Sequence, residues 1–481
     1  MNTIFLLALL LPGQTVVAQE KTNVLLIVAD DLRVELGCYG SPGKTPNLDA
    51  LAGRGVRFDR AYCQQALCNP SRSSFLTGKR PDTLRLWSNG LHFRQKNPDV
   101  VTLPQWFKSN GYDTRCVGKI FHNWHTQVKG DPGSWSKPEF LHYANHGDDT
   151  PMVSGKVPAS SVAGIGRKYG QVEVCECRDV PDEAFFDGRV AAEAVKTLSE
   201  IKDQPFFLAV GFWKPHAPFN APKKYWNLYD RDKLPPLRPD RPKGAPQFAF
   251  HDNREVLGIP PNQVTPNASQ FAEMRHGYFA NISYMDAQVG KVLKALQDNK
   301  LADKTLVVFV SDHGYHLGEH SLWAKTSCFE LDARVAMIFA GPEKVARGKA
   351  STSLVELVDL FPTINELCGL KPPGKLDGVS LVPVLADPNR LVKDGAFTQH
   401  PRPAYFDRTE KGTPDSMGYS VRTANGRFTE WRDWKSGKVL AAEYYDHLRD
   451  PGELINQVDT PALEKERNSA KEILHRQFSR P

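Results

Sequence analysis

Val24-Leu25-Leu26-Ile27-Val28-Ala29-Asp30-Asp31 is an unbroken apolar run that ends on two acids. A short, β-branched, continuous run suits a strand covered on both faces, whereas a strand with one wet face alternates. Three further runs have the same form: Phe206-Phe207-Leu208-Ala209-Val210, Leu306-Val307-Val308-Phe309-Val310 and Val335-Ala336-Met337-Ile338-Phe339. Helical patterns lie between them. Gly188 to Ile201 sets Val190, Ala194, Leu198 and Ile201 on one face, and a longer helix is predicted from about Ser269 to Asn299. Strands alternating with helices predict an α/β architecture.

The residues just past the strands carry the chemistry. Asp30-Asp31 follows the first run, Lys214-Pro215-His216 the second and Ser311-Asp312-His313-Gly314 the third. A fourth segment, Thr114–Val117, leads into Gly118-Lys119-Ile120-Phe121-His122. Ligands of parallel α/β sheets bind beyond the carboxyl ends of the strands. Each of these residues alone has a plain reading as a turn or helix-cap former; together they gather Asp, His and Lys side chains at one edge. Three carboxylates there suggest a hard divalent cation bound through oxygen. The basic groups Lys119, His122, His216 and Lys325 suggest an anionic substrate beside it. For a nucleophile, Cys68-Asn69-Pro70-Ser71-Arg72 offers a cysteine near an arginine. This reads either as a low-pKa thiolate at a helix N-terminus or as a buried structural cysteine.

The rest of the chain bounds the setting. With 481 residues, 40% of them hydrophobic, the protein can bury a core without help from disulfides. Its 61 basic and 55 acidic residues leave +6, and no dense Lys/Arg run makes a nucleic-acid footprint. Met1 to Ala18 lacks charged side chains and reads as a secretory signal peptide cleaved near Ala18. The mature protein is therefore expected to be secreted or periplasmic, or lysosomal in a eukaryote, with no membrane span. The 8 cysteines are too sparse to predict a pairing. Residues 227–266 are Pro-rich and read as a surface excursion. Past Asp387-Pro388-Asn389, Tyr419-Ser420-Val421-Arg422 and Arg427-Phe428-Thr429-Glu430-Trp431 flank the turn pair Asn425-Gly426, which predicts a hairpin in a smaller antiparallel C-terminal domain. Asn267 and Asn281 open N-glycosylation sequons.

Cys68-Asn69-Pro70-Ser71-Arg72 with Leu76-Thr77-Gly78 resembles the signature of the type I sulfatase family, whose cysteine is oxidised to formylglycine. Asp30-Asp31, Gly118-Lys119, Lys214-Pro215-His216, Asp312-His313-Gly314 and Lys325 occur in the family's order. Within it, Leu317-Gly318-Glu319-His320, Trp323-Ala324-Lys325, Pro401-Arg402-Pro403 and Met417-Gly418-Tyr419-Ser420 are most similar to the iduronate-2-sulfatase branch. The resemblance runs from about Asn23 to about Tyr445. It implies an alkaline-phosphatase-like large mixed sheet flanked by helices, with a smaller C-terminal α+β domain. The chain would then divide into a signal peptide (1–18), a catalytic domain (19–390) and a C-terminal subdomain (391–481).

It also implies one calcium ion held by Asp30, Asp31, residue 68, Asp312 and His313. A formylglycine-generating maturation enzyme is the implied partner, and a sulfated saccharide the implied substrate. Hydrated formylglycine would attack sulfur and then expel sulfate through its second hydroxyl. Arg72 and the metal would lower the pKa of the attacking hydroxyl, Lys119, His122 and Lys325 would grip sulfate oxygens, and His216 would protonate the departing sugar oxygen. Arg85 and Tyr315 match positions that shape the uronate pocket. The alternatives are a formylglycine-dependent phosphodiester or phosphonate monoester hydrolase, a sulfatase for another substrate such as an aryl sulfate, and a catalytically dead glycan-binding relative.

Overall fold

The computed structural model describes residues 21–141, 175–236, 239–263, 265–342 and 345–479, so the expected signal peptide lies outside the described residues. Eight strands form the central sheet: β1 (Asn23–Asp30), β2 (Val56–Tyr62), β3 (Asp113–Gly118), β4 (Phe206–Pro215), β5 (Thr305–Ser311), β6 (Arg334–Val335), β7 (Met337–Ala340) and β8 (Lys349–Glu356). β1 is central and parallel to both β4 and β5, and β3 runs parallel to β4. Beyond β5 the sheet turns mixed. β7 is antiparallel to β5 and β2, β6 is antiparallel to β2, and β8 is parallel to β2. The Val335–Phe339 run is thus two short antiparallel strands broken at Ala336, whose carbonyl accepts from Ser311 N at 3.1 Å.

Side-chain alternation along β1 divides the core. Leu25, Ile27 and Ala29 face a cluster that includes Val190, Ala194 and Leu198 of α2 (Phe186–Ile201) and Met274, Tyr278 and Ile282 of α3 (Ala268–Asp298). Val24, Leu26 and Val28 face the opposite cluster, with Phe75 and Leu76 of α1 (Cys68–Thr77) and Phe361 and Ile364 of α4 (Leu360–Leu367). Both faces are covered, as continuous apolar strands require. All ten residues of α1 are buried, so this helix is core rather than surface.

The C-terminal region is a four-stranded antiparallel sheet of β9 (Ala396–Arg402), β10 (Ser416–Arg422), β11 (Gly426–Asp433) and β12 (Val439–Asp446). The expected hairpin is present, with Arg422 opposite Arg427. Leu474 and Ala470 of α5 (Glu464–Gln477) close one face of this sheet over Val421, Phe428 and Tyr444. Most described residues of 227–266 lie at or near the surface, as expected, but parts of the stretch do not. Ala249 and Phe250 pack with Phe329 and Tyr445, and Val256 and Leu257 enter the main core. The Arg402 guanidinium binds the carbonyls of Phe248 and Ala249, so this segment fills the seam between the two sheets. Asn281 is fully buried with its amide on Gly277 O, which removes it as a glycosylation site. None of the cysteines is joined in a disulfide.

Glu356, at the end of β8, fastens the two sheets together. Its buried carboxylate takes both Arg80 Nη atoms at 2.8 Å, Lys393 Nζ at 2.6 Å and the Phe397 amide of β9 at 3.0 Å. Burial raises its pKa, but Arg80 and Lys393 prevail and hold it at about 2. Glu356→Gln leaves buried cations uncompensated and should cost about 3–5 kcal/mol near neutral pH, read by chemical denaturation. Because the folded pKa is depressed, that advantage is complete above the usual 4.5 and is lost as pH falls toward about 2. The gap between wild type and variant should close over that window.

Candidate active site

Since β1, β3, β4 and β5 run the same way, their carboxyl ends open at one edge of the sheet. Backbone and side-chain bonds stitch that edge together. His216 N donates to Asp30 O (3.1 Å), Asp312 N to Ala29 O (3.2 Å), Asp31 N to Asp312 Oδ1 (3.1 Å) and Leu32 N to Ser311 Oγ (3.0 Å). Asp31 sits in the left-handed region at φ 64°, and its carbonyl is held by the Tyr278 hydroxyl at 2.6 Å. Two glycines let the β3 end close on β4. A Cβ on Gly211 would lie 1.9 Å from Lys119 O, and Gly118 has φ +82°.

The opposite wall is the N-terminus of α1. Leu67 at its N-cap offers no side-chain acceptor; the Asn69 amide donates instead to Asn89 Oδ1 at 3.0 Å. The Asn69 side chain in turn holds the carbonyls of Ser88 and Leu91. This fixes Cys68, whose Sγ lies 3.5 Å from Asp30 Oδ1 and 3.3 Å from His313 Nε2. One turn along, Arg72 Nε binds Asp312 Oδ2 at 2.8 Å and Nη1 binds Ile120 O at 3.0 Å. Lys119 Nζ pairs with Asp30, and Lys325 Nζ is 3.0 Å from both oxygens of Asp31. Asp30, Asp31, Arg72, Asp312 and His313 are fully buried, and Cys68, Lys119 and Lys325 nearly so.

Such charges survive burial only by compensating one another. Burial raises the Asp30 carboxyl, but Lys119 and Arg72 outweigh it and hold the group well below its usual range. Asp31 is pushed well above its usual range by burial; Lys325 opposes this, and Asp30, Glu255 and Asp312 add to it. The Cys68 thiol is pushed well up by burial and by Asp30. That overturns the low-pKa thiolate reading: as a thiol, residue 68 is a poor nucleophile here.

One ligand atom each from Asp30, Asp31, Cys68 and His313 falls within 4.8 Å of the others, and Asp312 Oδ2 is 3.6 Å from His313 Nε2. The fit to a divalent cation is good. The carboxylates supply hard oxygen donors, and Asp31 stands among like charges that a cation would satisfy. Arg72 Nη2 is buried with no hydrogen-bond partner, its nearest carboxylate oxygen being Asp30 Oδ1 at 3.5 Å. It is a spare donor beside residue 68, of the kind an oxygen on that residue would use.

The other expected residues fall in different surroundings. His216 Nε2 is 3.8 Å from Asp31 and 3.4 Å from Glu255, and burial together with Lys325 lowers its pKa to about 3, against Asp30 and Glu255. His122 is nearly buried and edge-on to the Trp124 ring. Lys214 Nζ turns away to Pro218 O at 2.5 Å. Arg85 is exposed at φ 52°, on a loop tied to the α1 entry by the bond from Gln65 Nε2 to Trp87 O. Tyr315 lies in the core, its ring stacked on Tyr278 at 5.5 Å and edge-on to Phe219; that is a packing role.

Two residues were not anticipated: Glu255, which takes Lys325 Nζ, and Tyr405, whose hydroxyl donates to Glu255 at 2.8 Å. Glu255 carries no local signal in its Pro-rich segment. Tyr405 lies two residues past the Pro401-Arg402-Pro403 phrase.

Residues 22–370 match the sulfatase family model, and residues 318–479 match that of the N-sulphoglucosamine sulphohydrolase C-terminal region. Iduronate 2-sulfatase of Mus musculus is 35% identical, covering 91% of this chain and 89% of its own length. That of Homo sapiens is 34% identical, covering 88% and 87%. Among solved structures, the phosphonate monoester hydrolase of Agrobacterium radiobacter shares the fold at a TM-score of 0.76, with 22% identity and 96% of each chain covered.

Gly211→Ala forces a methyl into the Lys119 carbonyl, and overpacking of this kind costs about 1–3 kcal/mol. Denaturant titration should show that loss. Turnover should fall by more than stability alone explains, because Lys119 and the carbonyl that holds Arg72 both move.

Proposed function

We propose, on the premise that this chain belongs to the sulfatase family and is a sulfuric ester hydrolase, that it removes sulfate from a 2-O-sulfated uronate of a sulfated polysaccharide. The observation that carries this is the buried meeting of Asp30, Asp31, Asp312 and His313 with residue 68, ringed by Arg72, Lys119 and Lys325. The uronate assignment is supported by the branch phrases in the sequence and by the two iduronate 2-sulfatases. Arg85, exposed beside the α1 entry, is the cation for the uronate carboxylate. An apolar first segment supports export with removal of residues 1–18, and the separate antiparallel sheet that starts at Ala396 supports a catalytic domain of 19–390 and a C-terminal subdomain of 391–481. No helix among the described residues is long and apolar enough to cross a membrane.

Asp30, Asp31, Asp312, His313 and residue 68 would hold calcium, which would supply charge that neutralises sulfate oxygens. Cys68 is converted by a maturation enzyme to formylglycine, which when hydrated supplies an oxygen nucleophile and a second hydroxyl for sulfate release. The chain's own groups do the rest. Arg72, whose spare Nη2 donor lies 3.5 Å from Asp30 Oδ1, steadies negative charge at residue 68. Lys119 and Lys325 bind the remaining sulfate oxygens, and His122, nearly buried three residues past Lys119, is the base for sulfate expulsion. His216 gives a proton to the departing sugar oxygen. Burial is the main force against that proton, with Lys325 and Lys119 adding to it and Asp30 and Glu255 favouring it; a bound sulfate ester answers the charge of the two ammoniums.

Protein co-produced with a maturation enzyme should release sulfate from a disaccharide bearing a terminal 2-O-sulfated iduronate, and its peptide mass should show formylglycine at position 68. Release only from phosphodiesters or phosphonates would transfer the assignment to that chemistry; release only from other sulfated sugars would discard the uronate. Cys68→Ala should fold and lose turnover. Calcium at a hundred times its Kd should stabilise the fold by about 2.7 kcal/mol, EDTA should reverse this, and Asp312→Asn should abolish it, all read by thermal melting.

A further inference from the structure

Glu255 lies outside every motif of the site yet touches two of its working groups. Its Oε1 bonds Lys325 Nζ and stands 3.4 Å from His216 Nε2, while its Oε2 accepts from Tyr405. Asp31, His216 and Glu255 would pass for a second metal cluster, but the Lys325 ammonium already lies between Asp31 and Glu255 as their cation. The support is rigid. Glu255 rides a single helical turn, Arg254–Leu257, whose Val256 and Leu257 are buried in the main core. The Tyr405 ring is clasped by the guanidiniums of Arg254 at 5.5 Å and Arg408 at 5.1 Å. The imidazole of His216 is pinned from its other side, with Nδ1 on Ala217 O at 2.5 Å, so Nε2 must face Glu255 and Asp31.

Exposure shows which side of the site this is. Asp30 and Asp31 are sealed and the Lys325 side chain is 1% exposed, whereas the side chains of Glu255 and His216 reach 11% and 21%. An ester whose sulfate enters the sealed end leaves its alcohol against His216 and Glu255. We propose, resting on the sulfatase reading above, that Glu255 is a positioning residue for departure of the alcohol: it aims His216 Nε2 at the leaving oxygen and holds Lys325 on the sulfate, with Tyr405 of the C-terminal region fixing it in place. As the new S–O bond from residue 68 forms, the S–O bond to the alcohol breaks with both electrons going to the alcohol oxygen. The His216 ring acts as an imidazolium: its Nδ1–H stays on Ala217 O, its Nε2 proton moves to the alcohol oxygen, and the ring is left neutral. Glu255 neither gains nor loses a proton.

A group that acts through the leaving-group donor matters most where the leaving group is poor. The test compares Glu255→Gln, Tyr405→Phe and wild type, each carrying formylglycine and each checked by melting, on 4-nitrophenyl sulfate and phenyl sulfate. Glu255→Gln should lower kcat on phenyl sulfate by about tenfold to a hundredfold, and on the more acidic nitrophenol ester by less than about threefold, with KM nearly unchanged. Tyr405→Phe should move the same way by less. Equal losses on both esters, or no loss on either, would overturn the proposal. If wild type accepts only the sulfated disaccharide, a loss confined to kcat supports it and a loss confined to KM overturns it. Wild type that carries formylglycine yet releases sulfate from none of the three substrates would instead sink the sulfatase reading beneath it.

Discussion

Asp30, Asp31 and Asp312 are three carboxylates side by side with no access to water, and the rest of the site follows from the need to balance them. Like charges in a low-dielectric interior repel strongly, and each isolated ion would be driven to neutrality. The protein answers with Arg72 on Asp312 and Asp30, Lys119 on Asp30 and Lys325 on Asp31. Those cations are also the groups an anionic ester needs. One arrangement therefore serves folding and function, because the cations that pair with the buried carboxylates are the charges that attract sulfate.

The balance depends on segments far apart in the chain. Arg72 comes from a buried helix, Lys119 and His216 from strand ends, Lys325 from beyond β5, Glu255 from the Pro-rich segment and Tyr405 from just past β9. The C-terminal sheet is thus more than an appendage. Arg402 binds the carbonyls of the same segment that presents Glu255, and Glu356 ties β8 to β9.

What was legible in the sequence follows from how local its cause is. β1 and β5 could be read from their apolar runs, and Asp30-Asp31 and Asp312-His313 from their place just after them, since strand direction alone carries those residues to the edge. The Asn425-Gly426 hairpin was equally local. The break at Ala336 was not, because an antiparallel partner depends on the path of the chain through β2. Residues 227–266 looked like surface because Pro-rich backbone makes little regular structure; the burial of Ala249 and Phe250 comes from packing on Phe329 and Tyr445 and from Arg402 binding the carbonyls of Phe248 and Ala249. Glu255 was invisible for the same reason. Tyr315 could be aligned but not placed, and its ring turns into the core against Tyr278.

Cys68 shows how the parts constrain one another. A cysteine used as a thiolate is usually set among cations that lower its pKa. Here the nearest charged oxygen is Asp30 at 3.5 Å, and burial with that carboxylate drives the thiol the other way. Arg72, which would be the activating cation, has its Nε committed to Asp312 and its Nη1 to backbone carbonyls, with Nη2 left over. A thiol gains little from that donor, being a weak acceptor. An oxygen at position 68 gains a charge-assisted hydrogen bond, and oxygen is also the donor that a hard cation among these carboxylates prefers. The surroundings of residue 68 suit an oxygen better than the encoded thiol, and this mismatch is the physical argument for the proposed conversion.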